Sequence, residues 1–246
     1  MEQVRRSYVP EDEAFFYREE SLGKLCQAQK DLLYLIERGY PMKNASVFTG
    51  NHYLLSERQR LALVRATSSR QAAALRRNRE VIGPVPGKEV HIDGFNIIIT
   101  LEIALSGSTL LKCMDGTIRD LAGLRGTYRI IGKTHEAIRL LLCRLKELET
   151  ERAVFYLDSP VSNSGKLRAL ILDTAREEAI DCQVHLVPNA DAVLKETEHV
   201  ITSDAIILDH CKSWLNPLPG LLSSSLPGLR FVDLTMQGPE TGPKTS

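Results

Sequence analysis

Val90-His91-Ile92-Asp93-Gly94-Phe95-Asn96 is the stretch on which the fold turns. Apolar and polar residues alternate up to Ile92, as they do along a strand, and Asp93-Gly94 then breaks the extended pattern. The apolar residues that follow suit a helix, so the sequence predicts a strand over 88–93 delivered into a helix over 96–105. Further along, Ile138, Leu141, Leu142, Leu145 and Leu148 recur at spacings of three and four, predicting a helix over 135–149. A strand over 153–158, a helix over 166–180 and a strand over 182–187 come next. A short helix near Ala192, a strand over 199–203, a short helix over 205–211 and a last strand over 230–234 complete the series. Strands separated by helices need crossovers, so the expected class is α/β: a mainly parallel sheet of about five strands with helices on both faces.

Open parallel sheets take ligands beyond the carboxyl ends of their strands. Three of the expected strands end in aspartate, at Asp93, Asp158 and Asp204. Any one of these reads as a turn former or helix cap. Together on one rim they would repel unless a cation neutralised them, and their hard oxygens suit Mg²⁺ or Mn²⁺. The chemistry that follows is metal-assisted attack of water on a phosphodiester. Residues 115–129, with three glycines, three arginines and two aspartates, make a poor core segment. We expect a rim loop or short helix there, in which Asp120 or Asp115 supplies a further carboxylate and Arg119 and Arg125 hold phosphate. A loop closed by its own salt bridges is the other reading. Residues 159–166 bring hydroxyls, amides and Lys166 to a helix start, where an anion could sit, but without the spacing of a nucleotide P-loop.

Upstream of residue 83 the pattern is helical. Leu22, Leu25, Leu32 and Ile36 mark one helix, started near Ser21 and stopped by Gly39 and Pro41. A second is expected from Ser56, carrying Leu61, Val64, Ser68, Ala72 and Leu75 as one stripe. Seven arginines against the single acid Glu57 lie between Glu57 and Arg79. Arg58, Arg65 and Arg76 would share a face, which is either a solvated surface or a phosphate-binding one. Gly83-Pro84-Val85-Pro86-Gly87 cannot continue a helix. The expected organisation is therefore a helical, arginine-rich unit over 1–82, a linker over 83–87, an α/β domain over 88–236 and a loose tail over 237–246.

The chain has 246 residues, 43% of them hydrophobic and 25% charged, which excludes a disulfide-stapled miniature and wholesale disorder. Lys plus Arg total 31 and Asp plus Glu total 31, so attraction to nucleic acid must be local. Five scattered cysteines without a C-x-x-C pair suit reduced thiols in a cytoplasm. The charged first twenty residues leave no apolar segment for a signal peptide, and no run approaches the ~20 residues of a membrane span. The histidines show no metal-ligand spacing, and no G-x-S-x-G elbow is present.

Ile92-Asp93-Gly94-Phe95-Asn96 and Ile201-Thr202-Ser203-Asp204 together resemble the PIN-like superfamily, within it the NYN ribonuclease branch. The resemblance implies a three-layer α/β/α domain with strand order 3-2-1-4-5 and a Mg²⁺ or Mn²⁺ site for RNA cleavage. Asp93 and Asp204 would be metal-binding acids and Asn96 would orient the site, while Asp158 and either Asp120 or Asp115 are the candidates for further acids. The whole chain is similar to an uncharacterised prokaryotic family, domain of unknown function 434, on Arg38-Gly39-Tyr40-Pro41 and Tyr53-Leu54-Leu55-Ser56-Glu57-Arg58-Gln59-Arg60. Three functions are consistent with these features. The first is a ribonuclease whose helical unit holds RNA through Arg58, Arg65 and Arg76, with Arg119, Arg125 and Lys166 at the rim. The second is a non-catalytic RNA-binding or adaptor protein, and the third a phosphohydrolase acting on a small nucleotide.

Overall fold

A computed structural model describes residues 4–123 and 126–236. A π-helical turn, Glu13–Tyr17, precedes four helices: α1 (Glu19–Ile36), α2 (Met42–His52), α3 (Glu57–Ala66) and α4 (Arg70–Arg79). Strands and helices then follow as β1 (Glu89–Asp93), α5 (Gly94–Leu105), β2 (Leu110–Lys112), β3 (Ile118–Asp120), α6 (Thr134–Glu147), β4 (Arg152–Asp158) and α7 (Ser164–Glu177). The remainder is β5 (Cys182–Val187), α8 (Ala190–Leu194), β6 (Val200–Ile201), α9 (Ala205–Leu208), β7 (Trp214–Leu215), α10 (Leu218–Ser225) and β8 (Phe231–Asp233). The chain is α/β with a helical N-terminal part, and among the described residues no helix is long and apolar enough to cross a membrane.

The main sheet is parallel and ordered β5-β4-β1-β6-β7. β1 is central, and one of its faces sends Val90 and Ile92 into a core shared with α5, α6, α7 and α10. On the opposite face α8 and α9 pack Leu194, Ile207 and Leu208 against Val200 and Trp214. The fifth strand is not residues 230–234 as the pattern suggested. β8 pairs instead with β2, in a second sheet ordered β3-β2-β8, and the fifth place falls to Trp214–Leu215. A two-residue strand has no periodicity to read.

That second sheet corrects another expectation. Residues 110–120 form a hairpin, β2 and β3, closed by Cys113 N–H on Thr117 O with Gly116 at φ +84°, where the sequence suggested a rim loop or short helix. Leu111, Cys113, Val232 and Leu234 then close the core beneath the N-terminal helices, among Leu25, Leu32, Ala62 and Leu63. The helices thus have no closed core of their own.

The expected single arginine helix is two. Ser56 starts α3 through a capping box with Gln59. After Ala66 the chain becomes extended: Thr67 Oγ1 donates back to Leu63 O at 2.6 Å, and Ser69 recaps the chain by accepting from Ala72 N–H at 3.1 Å. Three consecutive hydroxyl residues compete for backbone groups and end the helix although the apolar stripe runs on. Arg58 and Arg65 therefore sit on α3 and Arg76 on α4, not on one face.

Candidate active site

β1 ends at Asp93 with no residue to spare before α5. A Cβ on Gly94 would lie 2.5 Å from Leu157 Cδ2 and 3.1 Å from Tyr156 O, so only glycine lets the chain turn this close to β4. Asp93, at the carboxyl end of the central strand, is 7% exposed. Its Oδ2 accepts from Thr202 Oγ1 at 2.9 Å, and the same hydroxyl accepts from Asp204 N–H at 3.0 Å. A single threonine thus joins the ends of β1 and β6, adjacent strands in the sheet. Asn96, in the first turn of α5, accepts through Oδ1 from Ser203 N–H at 2.8 Å and from Ser203 Oγ at 3.0 Å.

These residues open onto a cleft of about 960 Å³ between the sheet's carboxyl edge and helices α3 and α4. Asp93, Asp158 and Asp204 all line it, with Asp120 and Asn96. So does Asp191, which lies in the first turn of α8 and was not anticipated. Burial, then the charges of Asp191 and Asp204, push the Asp93 carboxyl up to about 7 against the pull of the Thr202 hydroxyl. Asp191 is likewise raised, by burial and then by Asp204 and Asp158. Asp158 Oδ1 accepts from Ala190 N–H at 2.8 Å, and Asp204 Oδ1 accepts from Ile206 and Ile207 N–H at 2.7 and 3.2 Å. One oxygen of each is therefore spent on orientation.

Asp120 faces the cleft but is engaged on both oxygens. Thr100 Oγ1 donates to Oδ2 at 2.8 Å, and Ala122 N–H and Arg65 reach Oδ1 at 2.7 and 3.3 Å. Asp115 does not line the cleft; its buried carboxylate lies between Arg76 and Arg119, at 2.6 Å from each, and is held below the usual carboxylate range by Arg119, Thr117 and Arg76 despite burial. The arginines are similarly committed. Arg58 binds Asp12, and Arg76 binds Asp115 and Asp209 with its side chain 5% exposed. Arg76 and Arg119 also line the cleft but are buried, while Arg65 lines it 30% exposed and donates to the carbonyls of Asp120 and Ala122. Lys166 is exposed on α7 and does not line the cleft, and Arg125 lies outside the described residues, as does the tail over 237–246.

The donors facing the cleft are hard oxygens, which fit Mg²⁺ or Mn²⁺ rather than a softer ion. Among the described residues no group of three or more His, Cys, Asp or Glu side chains stands close enough to hold a metal. Such a donor set suits an ion that keeps several waters and takes one or two carboxylates, as Mg²⁺ does.

Fold and cleft together define a mainly parallel α/β protein with an acidic pocket at the carboxyl ends of its strands, roofed by N-terminal helices. The chain belongs to the family described as Domain of unknown function (DUF5616), which matches residues 83–219. Residues 24–79, spanning most of α1 through α4, match a second family, Protein of unknown function (DUF434). The similarity expected over the whole chain thus divides between two families. The chain is 38% identical over 183 residues to Uncharacterized protein MJ0935 of Methanocaldococcus jannaschii, covering 74% of this chain and 88% of that protein. No solved structure matches it significantly.

Proposed function

We propose that this chain is a PIN-like, divalent-cation-dependent hydrolase of phosphodiester bonds that acts on RNA. The observation that carries the reading is the convergence of Asp93, Asp158, Asp191 and Asp204 on one cleft, with Asp93 raised to about 7 by burial and like charge. Raised carboxyls in a shared cleft are a mark of functional sites, and a cation relieves them. In this reading one or two of Asp93, Asp158 and Asp204 would hold a hydrated Mg²⁺ or Mn²⁺. Such an ion lowers the pKa of a bound water and offsets charge on the phosphorane-like transition state. Asn96 and Thr202 fix the Ser203 and Asp204 backbone, and Arg65, more exposed than Arg76 and Arg119 in the same cleft, meets the phosphate. Five free thiols suit a reducing cytoplasm.

Incubating purified protein with labelled RNA and Mn²⁺, beside an Asp93→Asn, Asp204→Asn double variant, tests the reading. Mn²⁺-dependent cleavage by the native chain alone supports it, and equal cleavage by both overturns it. That no three such ligands stand together among the described residues favours one alternative, an RNA-binding or adaptor protein without turnover. Salt-sensitive RNA binding with no cleavage would select that alternative.

A further inference from the structure

β6 pairs with β1 only at Val200 and Ile201, so no strand ladder holds residues 202–204, the segment that carries Asp204 to the cleft. Side chains hold it instead. Asn96 Oδ1 takes the Ser203 N–H, and on the other side of that residue Arg119 Nε donates to Ser203 O at 2.7 Å. The same guanidinium donates through Nη1 to Arg65 O at the end of α3, and through Nη2 to Asp115 Oδ2 at 2.6 Å. Asp115 is fixed in turn: Thr117 N–H and Oγ1 donate to its Oδ1 at 3.2 and 2.6 Å, and Arg76 Nη1 donates to its Oδ2 at 2.6 Å. A continuous series of hydrogen bonds therefore runs from the β2–β3 turn through Arg119 and Ser203 to Asn96.

We propose that Arg119, anchored by Asp115, is a positioning residue for the acidic cleft, setting the 202–204 backbone from which Thr202 orients Asp93 and Asp204 faces the ligand. The inference rests on the hydrolase reading for its consequence in catalysis, not for the geometry. Arg119 lines the cleft but is buried, and each of its three nitrogens already donates within the protein, which suits positioning rather than substrate contact. Three partners in three directions suit a rigid planar guanidinium; an ammonium would keep the charge beside Asp115 but could not hold both carbonyls.

The test compares the full-length chain with Arg119→Lys and with Ile171→Val, a conservative core change on α7 that reports a general loss of packing. Amide hydrogen exchange at Ser203, Ile206 and Ile207 should accelerate about tenfold or more in Arg119→Lys, with β4 amides unchanged. The Mn²⁺ dissociation constant, read by electron paramagnetic resonance, should rise about 10- to 100-fold. Any RNA cleavage should fall in kcat with KM nearly constant, because Arg119 acts on the acids and not on the RNA. Exchange and Mn²⁺ affinity matching Ile171→Val would overturn the proposal. If the native chain neither binds Mn²⁺ nor cuts RNA, the hydrolase reading fails, and the exchange comparison alone still decides whether Arg119 positions the segment. Should Arg119→Lys not fold, Asp115→Asn, which frees the anchored guanidinium, is read in the same way.

Discussion

The Thr202 hydroxyl donates to Asp93 Oδ2 at 2.9 Å while it accepts the Asp204 N–H at 3.0 Å, so one side chain sets both acids. Only a group that donates and accepts at once can do this, and valine, of nearly the same shape, does neither. We expect Thr202→Val to weaken Mn²⁺ binding and any RNA cleavage by about 10- to 100-fold, the usual cost of removing an outer-shell partner. Thr202→Ser should recover most of the loss. Titration calorimetry with Mn²⁺ on the three proteins checks it, and an unaffected valine variant would remove Thr202 from the site.

Asp93 makes the cleft a stability liability in the metal-free chain. Its carboxyl is raised from 3.8 to about 7, so between those values the folded chain keeps a proton that the unfolded chain has released. Stability from this group is therefore lost as pH rises, with the penalty absent below about pH 4 and complete above about pH 7, on the order of 4 kcal/mol. Urea unfolding in EDTA from about pH 4 to 8 should show the native chain losing stability relative to Asp93→Asn across that window. Added Mn²⁺ should shrink the difference. Parallel curves would mean that Asp93 is not raised.

Arg58 counts as surface charge in the sequence but is bound inside the fold. Its Nη2 lies 2.8 Å from Asp12 Oδ2, which also takes a hydrogen bond from Thr109 Oγ1 at 2.7 Å, and Asp12 is 5% exposed. Arg58→Ala leaves that carboxylate buried without its cation, at a cost of roughly 3 kcal/mol. The number of phosphates neutralised should not change, so the salt dependence of RNA binding should match the native chain. Arg65→Ala, by contrast, should lower the salt slope by about one. Filter binding across a salt series and urea midpoints on both variants separate the two roles.

How far the sequence could be read depended on whether the deciding contact was local. The turn at Asp93-Gly94, the helix at Ile138 to Leu145 and the strand at Phe155 each follow from neighbours within a few residues, and all were legible. The membership of residues 231–233 in a second sheet rests on pairing with Leu110 to Lys112, which no local pattern encodes. Arginines could be counted but not assigned, since Arg58 finds Asp12 46 positions away and Arg76 finds Asp209 133 positions away. Asp191 is not legible as a strand-end acid, because Pro188-Asn189-Ala190 carry the chain past the end of β5 before Asp191 turns to the cleft. The break at Thr67-Ser68-Ser69 was visible in its hydroxyls, yet the stripe of Val64, Ser68, Ala72 and Leu75 argued for one helix, and the capping energy of Ser69 prevailed.

Gly94 is where the backbone itself sets the site. A methyl group there would stand 2.5 Å from Leu157 Cδ2 and 3.1 Å from Tyr156 O; the leucine tip can rotate away, but the β4 carbonyl is held in the sheet. Gly94→Ala must therefore push α5 outward by some tenths of an ångström, costing about 1–3 kcal/mol as overpacking does. Because Asp93 and Asn96 flank the shifted turn, the change should also weaken the Asn96 contact to Ser203 and lower Mn²⁺ affinity. Gly94→Ala combined with Leu157→Ala relieves only the side-chain clash. If the carbonyl is the true limit, the double variant stays destabilised and keeps its Mn²⁺ defect, measured by thermal unfolding and calorimetry on the four proteins of the cycle. Recovery of native affinity in the double variant would show that the leucine tip, not the β4 backbone, is what requires glycine at this turn.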